Sequence, residues 1–182
     1  MSAFYRTFAR TFGAVGLAAL ALLPAIAHSG LTLNRSASVP EGFYRATGGS
    51  IGLGDYVTFC PPDRDPFRAA LDRGYLEKGS CALGSYPMLK VIVALAGDHY
   101  VIDTHGVRIN GVLLPGSAPA RQDAAGRPMP GLQTSGVIEN GQMLVMGDHC
   151  PSSFDSRYFG PLPLAGAKPV TPMLLWRAGN VR

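Results

Sequence analysis

Apolar residues recur along this chain in short runs broken by turn residues, and the runs carry strand alternation rather than helical spacing. From Leu31 onward the β-prone runs are Gly42 to Arg45, Tyr56 to Phe59, Met88 to Ala96, His99 to Ile102, Arg108 to Leu114 and Met143 to Met146. Asn110-Gly111 splits one of them between Arg108-Ile109 and Val112-Leu113-Leu114. Asn-Gly tolerates the positive φ angles of a two-residue hairpin turn, so a tight hairpin is expected there. One segment departs from the pattern. From Asp65 to Glu77, the residues Phe67, Leu71 and Tyr75 fall four apart, which predicts a helix that caps the strands with one apolar face. Residues 115–136 mix Pro, Gly, Ala and polar residues without apolar periodicity and read as an exposed loop. Spacing of this kind predicts a mainly β domain, a barrel or sandwich with one short helix.

The N-terminus has its own pattern. Arg6 and Arg10 precede an apolar run from Phe12 to Ala27 that closes on Ala25-Ile26-Ala27, the order of charge, hydrophobic core and small residues in a bacterial export signal. The run is shorter than the roughly 20 residues that span a bilayer, while its flanks could extend it into a marginal anchor. Removal and retention both stay open, and a buried core helix is the competing structural reading. Residues 1–29 are therefore expected to be an export signal or membrane anchor, and 30–182 one compact domain. Positive-inside orientation puts that domain on the far side of the inner membrane. A disulfide is permitted there, and Cys60 with Cys81, which flank one predicted loop, is the expected pair.

Composition narrows the picture. At 182 residues a second full domain would not fit, and 47% hydrophobic against 15% charged excludes a disordered tail. Gly 23 and Pro 15 interrupt the chain too often for helical bundles or coiled coils. The net charge of +4 comes from scattered basic residues with no dense run, so nucleic acid is not expected as a partner. The odd cysteine count, Cys60, Cys81 and Cys150 without C-x-x-C spacing, argues against a zinc site, and no cofactor or metal is expected.

Three stretches carry candidate chemistry. In Ser36-Ala37-Ser38-Val39-Pro40-Glu41-Gly42 the proline and glycine can hold a serine hydroxyl out of regular structure, although an ordinary Ser/Pro turn has the same composition. Lys90 lies inside the apolar run Met88 to Ala96 and is one of only three lysines, with Lys78 and Lys168. Burial would disfavour its charged form and make a neutral amine available as a general base, an option arginine lacks. The competing reading is that alternation turns Lys90 to solvent. In Met146 to Gly160, acidic, hydroxyl and cationic groups sit between glycines. Asp148, Asp155 and Arg157 can form a network that holds Ser153 or Ser156 against a neighbour, or merely a surface salt-bridge loop. His99, His105 and His149 are competing bases, but no nucleophile-elbow motif supports a histidine triad.

Together and in this order, SVPEGFY at 38–44, GDYVTFC at 54–60, MLKVIVALAGD at 88–98 with RING at 108–111, and MGDHCPSSFDSRYFGPLP at 146–163 resemble the type I signal peptidase superfamily. The likeness is to its conjugative-transfer, TraF-type branch and covers nearly the whole chain after the leader. It implies a compact barrel-like peptidase core, with Ser38 as nucleophile and Lys90 as general base. It further implies that Ser153 orients the lysine, that Asp155 and Arg157 form a structural pair, with Asp148 beside them, and that the Ser38 N–H and the Ser36 hydroxyl meet the oxyanion. Leader peptidases place methionine after the serine and their proline one residue later, so Ser36 remains an alternative nucleophile. Val91 stands where many relatives carry arginine, and His149-Cys150 replaces a common Asn-Arg.

The resemblance implies a serine endopeptidase of conjugative transfer, in the periplasm or on the periplasmic face of the inner membrane. Its expected partners are a pilin precursor, the membrane surface and conjugative type IV secretion components. Cleavage and cyclisation share an acyl-enzyme, so either outcome is chemically available. The alternatives are a general leader peptidase acting on many exported proteins and a non-catalytic β-domain of a pilus assembly.

Overall fold

Alternation along the chain resolves into two antiparallel sheets in the computed structural model, which describes residues 30–148 and 150–177. The strands are β1 (Leu31–Asn34), β2 (Glu41–Ala46), β3 (Tyr56–Phe59), β4 (Met88–Leu95), β5 (His99–Asp103), β6 (Gly106–Ile109), β7 (Val112–Leu113), β8 (Thr134–Val137), β9 (Gln142–Met146), β10 (Leu162–Pro163) and β11 (Lys168–Arg177). Seven of them form a curled half-barrel in the order β1-β2-β11-β3-β4-β9-β10, and four form a smaller sheet in the order β7-β6-β5-β8. The chain divides into Met1–Thr32, of which only residues 30–32 are described, and Leu33–Arg182, which contains all of the site residues discussed below. The leader and His149 lie outside the described residues.

Central position explains why β4 breaks simple alternation. It lies between β3 and β9, and its first three residues, Met88, Leu89 and Lys90, are all buried. Met88 and Ile92 join the largest apolar cluster with Phe67, Phe154 and Phe159, whereas Leu89 packs on the other face with Val39, Tyr44 and Val170. Lys90 has the parity of Met88 and Ile92, so it points into a covered face and not to solvent.

The hairpin expected at Asn110-Gly111 joins β6 to β7, with φ of 50° and 83° at its two corner residues. The expected helix is shorter than its apolar pattern: α1 spans Phe67–Asp72 rather than 65–77. Gly74, at φ 77°, donates its N–H to Leu71 O while the Tyr75 N–H reaches Ala70 O, and this closing motif stops the helix. A second helix, α2 (Ser156–Phe159), was not expected. Asp155 caps it by accepting the Arg157 N–H, and all four of its residues are buried.

Two further differences have physical causes. β11 is the longest strand yet contains Pro169 and Pro172, residues that argue against a central strand. A register shift follows Pro172 in the pairing with β2, and this irregularity accommodates the missing donor. Residues 115–136 are mostly exposed, as expected, but they are not a free loop. β8 begins at Thr134, the buried Ser117 Oγ accepts the Val107 N–H at 2.9 Å, and residues 121–129 fold into a small hairpin through the pairs Asp123 N–H to Arg127 O and Met129 N–H to Arg121 O. The expected disulfide is present: Cys60, just past β3, is bonded to Cys81 with Cα atoms 5.5 Å apart, which fastens the α1 segment to the sheet. Closing a loop of that length restricts the unfolded chain by about 3 kcal/mol.

Candidate active site

Ser38 sits in the loop between β1 and β2, and a buried asparagine shapes that loop from inside. Asn34 Nδ2 donates to the carbonyls of Ser36, Val39 and Pro40 at 2.9 to 3.1 Å, and its Oδ1 accepts the Ser36 N–H. The Tyr44 hydroxyl adds a 2.6 Å bond to Pro40 O from β2. Pro40 fixes its own φ, so the turn is held by ring geometry and by side chains that satisfy its carbonyls. The Ser38 carbonyl accepts the Asp148 N–H at 2.8 Å, which fastens the loop to the end of β9.

Lys90 enters from β4, only 5% exposed, and its Nζ donates to Ser153 Oγ at 3.0 Å. Burial is the main cause that pulls its pKa down from 10.5 to about 8; Asp155 and Cys150 oppose the shift, and Arg157 reinforces it. A substantial neutral fraction is therefore present near pH 8.

Gly147 is the hinge of this corner. A Cβ there would lie 2.6 Å from Ser153 Oγ and 2.9 Å from the Ser38 carbonyl oxygen, so only glycine lets β9 leave the sheet between the two serines. Ser153 is held in turn by its N–H on Cys150 O, and that turn is fixed by Arg157. Arg157 is 1% exposed and donates to the carbonyls of Ala118, Cys150, Pro151 and Ser153 and to both oxygens of Asp155, at 2.8 and 2.7 Å. Asp155 also accepts the Gly147 N–H at 2.9 Å. A buried guanidinium survives only when paired and multiply bonded, and both conditions hold.

Most of the residues singled out from sequence thus meet at one corner. Ser38, Lys90 and Ser153 converge on Gly147, and Asp155 with Arg157 braces Ser153. Asp148 stands to one side: its carboxylate accepts the Tyr56 hydroxyl at 2.7 Å, and burial with that contact pushes the Tyr56 pKa upward. The described hydrogen bonds join Lys90 to Ser153 and Ser38 to Ser36, and none joins Ser38 directly to Lys90. The two candidate oxyanion donors meet each other: Ser36 Oγ donates to Ser38 Oγ at 3.0 Å, and the Ser38 N–H points at Ser36 Oγ at 3.3 Å. Rotation of Ser36 about χ1 would free both donors. His99 opens β5 and His105 lies in the turn between β5 and β6, and both are exposed. Sequence reasoning missed Asn34 and Tyr56, and it passed over Gly147 although the glycine begins the Gly-Asp pair of the last motif.

An open cleft of about 380 Å³ runs from Ser36–Ser38 past Cys150 and Ser153 to a wall formed by the 121–129 hairpin and the end of α1.

The chain matches the family model described as signal peptidase, peptidase S26, over residues 5–176. It is 39% identical over 163 residues to a plasmid transfer protein TraF of Escherichia coli, covering 88% of this chain and 92% of the relative. A conjugal transfer protein TraF of Agrobacterium tumefaciens (strain 15955) is 37% identical over 156 residues, covering 82% of this chain and 87% of the relative. A crystal structure of a signal peptidase I from Enterococcus faecalis V583 aligns at 19% identity with a TM-score of 0.39, over 69% of this chain and 99% of that one.

Proposed function

The chain belongs to the signal peptidase S26 family, and from that premise we propose that it is a Ser/Lys endopeptidase of plasmid conjugative transfer that matures a pilin precursor through an acyl-enzyme. The observation that carries this reading is the buried Lys90, its pKa lowered to about 8, bonded to Ser153 at the corner that also holds Ser38. Similarity to the TraF proteins supports the conjugative role.

In this reading the substrate lies extended along the cleft. Ser38 Oγ attacks the scissile carbonyl while Lys90 Nζ takes the hydroxyl proton, then returns it to the leaving amine. Ser153 keeps the ammonium formed midway hydrogen-bonded. The Ser38 N–H and the Ser36 hydroxyl turn from each other to the developing oxyanion. Water releases the acyl group as a carboxylic acid, or an amine at the substrate's own N-terminus captures it as a cyclic peptide. The site acts on the periplasmic face of the inner membrane. Exposed Met173, Leu174, Leu175 and Trp176 on β11, with Phe43 edge-on to Trp176 at 5.5 Å, support contact with the membrane surface there.

The test is to co-express the wild type and the Ser38→Ala, Ser36→Ala and Lys90→Ala variants with the pilin precursor and weigh the products. Ser38→Ala and Lys90→Ala are expected to leave the precursor intact, and a product one water lighter than the cut linear peptide would identify cyclisation. Processing that survives Ser38→Ala but not Ser36→Ala would move the nucleophile.

A further inference from the structure

The wall of the cleft opposite Ser38 is built around two guanidinium groups and one carboxylate, and the carboxylate is already used up. Asp123 Oδ1 accepts the N–H groups of Ala125 and Arg127, and Oδ2 accepts the Tyr75 hydroxyl at 2.7 Å and Arg127 Nε at 2.6 Å. Its side chain is only 6% exposed, so it fixes the hairpin and offers little to a ligand. The arginines are differently placed. Arg73 Nη1 reaches Pro128 O at 2.9 Å and Arg127 Nη2 reaches Arg73 O at 3.0 Å, which ties the hairpin to the end of α1. Arg127 also lies over the Tyr75 ring, 5.7 Å from its centroid. A guanidinium has five N–H donors. The described bonds leave Nε and Nη2 of Arg73 and Nη1 of Arg127 unused, and Arg73 has no ion pair among the described residues. Both arginines line the cleft.

We infer that this end of the cleft binds a carboxylate of the peptide substrate, which Arg73 and Arg127 grip while Ser38 works on the scissile bond. The arrangement suits a planar anion: both side chains line one cleft and are pinned by other nitrogens, with donors left over from the described bonds, so little entropy is lost on binding. Both an acidic side chain and a free C-terminus supply this chemistry. The inference rests on the proposed function, because it takes the occupant of the cleft to be the substrate of Ser38.

The test measures binding of fluorescent alanine octapeptides to the full-length Ser38→Ala protein in detergent. One set carries a single Glu, Gln or Lys at each position, and the other ends in a free acid or an amide. In at least one register the carboxylate peptide is expected to bind about tenfold more tightly than its amide counterpart. The Glu/Gln pair and the acid/amide pair tell the two sources apart. Arg73→Lys is expected to retain the preference and Arg73→Gln to lose most of it. Affinities equal within about twofold in every register, or an unchanged preference in Arg73→Gln, would overturn the inference without involving any variant that removes the hairpin. Precursor processing that survives Ser38→Ala would instead defeat the catalytic reading and leave the binding result standing.

Discussion

The Lys90 corner and the four-stranded sheet handle polar groups in opposite ways. At the corner Lys90, Ser153, Asp155, Ser156 and Arg157 are all at most 5% exposed. Each is bonded: Ser156 Oγ accepts the Val145 N–H, and the others form the network around Gly147. In the smaller sheet the ionic groups stay near water, as in the pair of Arg108 with Asp103, whose side chains are 34% and 31% exposed. Burying an ion without partners costs several kcal/mol, so a chain accumulates such a cluster only where a network satisfies every member. The contrast separates a buried lysine held in a network from histidines exposed at the surface.

The largest break in this comparison should come from the reacting groups. Lys90→Ala is expected to lower precursor processing at least about a thousandfold while the protein stays folded, and His99→Ala and His105→Ala to change it by less than about twofold. Timed mass spectra of the precursor check both.

Arginine gives the next largest contrast. Arg157→Ala leaves Asp155 buried without its partner and strips four carbonyls of a donor, so urea unfolding should reveal a loss of about 3–5 kcal/mol. Arg108→Ala, in a half-exposed pair, should lose less than about 1 kcal/mol.

Lysine burial itself has a sign that sharpens the comparison. Its folded pKa lies near 8 and its unfolded value near 10.5, so between these pH values the unfolded chain binds more protons and stability rises with pH. Below pH 8 the burial cost is fully present, about 3 kcal/mol over the whole shift. Lys90→Met is expected to be inactive yet more stable than the wild type at pH 7 by about 1–3 kcal/mol, with a flatter pH dependence between 8 and 10.5. Thermal unfolding across that window measures it.

Much of this was legible from residue order. The strands β2 to β6, β7 and β9 follow alternation and turn chemistry, and Lys90 drew notice because the chain has so few lysines. The rest failed for physical reasons. β11 hid behind two prolines that a bulge tolerates, β8 reads Thr-Ser-Gly-Val with a single apolar residue, and β10 has only two residues, so neither makes a pattern. The α1 pattern ran past its end because Gly74 stops a helix whose apolar spacing continues to Tyr75. Residues 115–133 are mostly exposed, as their composition suggests, but their ties to the rest of the domain, Ala118 O on Arg157, the Ala120 N–H on the Tyr158 hydroxyl and Asp123 on the Tyr75 hydroxyl, follow no periodicity a sequence shows. Asn34 escaped for the same reason: its partners are carbonyls. Buried Lys90 could not be told from an exposed one until β3 and β9 were seen on both sides of its strand.

The claim at the centre is that Lys90 is the base that activates Ser38, and the pH dependence of a single acylation event tests it most directly. With the precursor bound, the rate of acyl-enzyme formation should rise with pH through a titration near 8, as Lys90 loses its proton. A rate controlled instead by a group near 6.5, an ordinary histidine, or a rate unchanged in Lys90→Ala, would contradict the account.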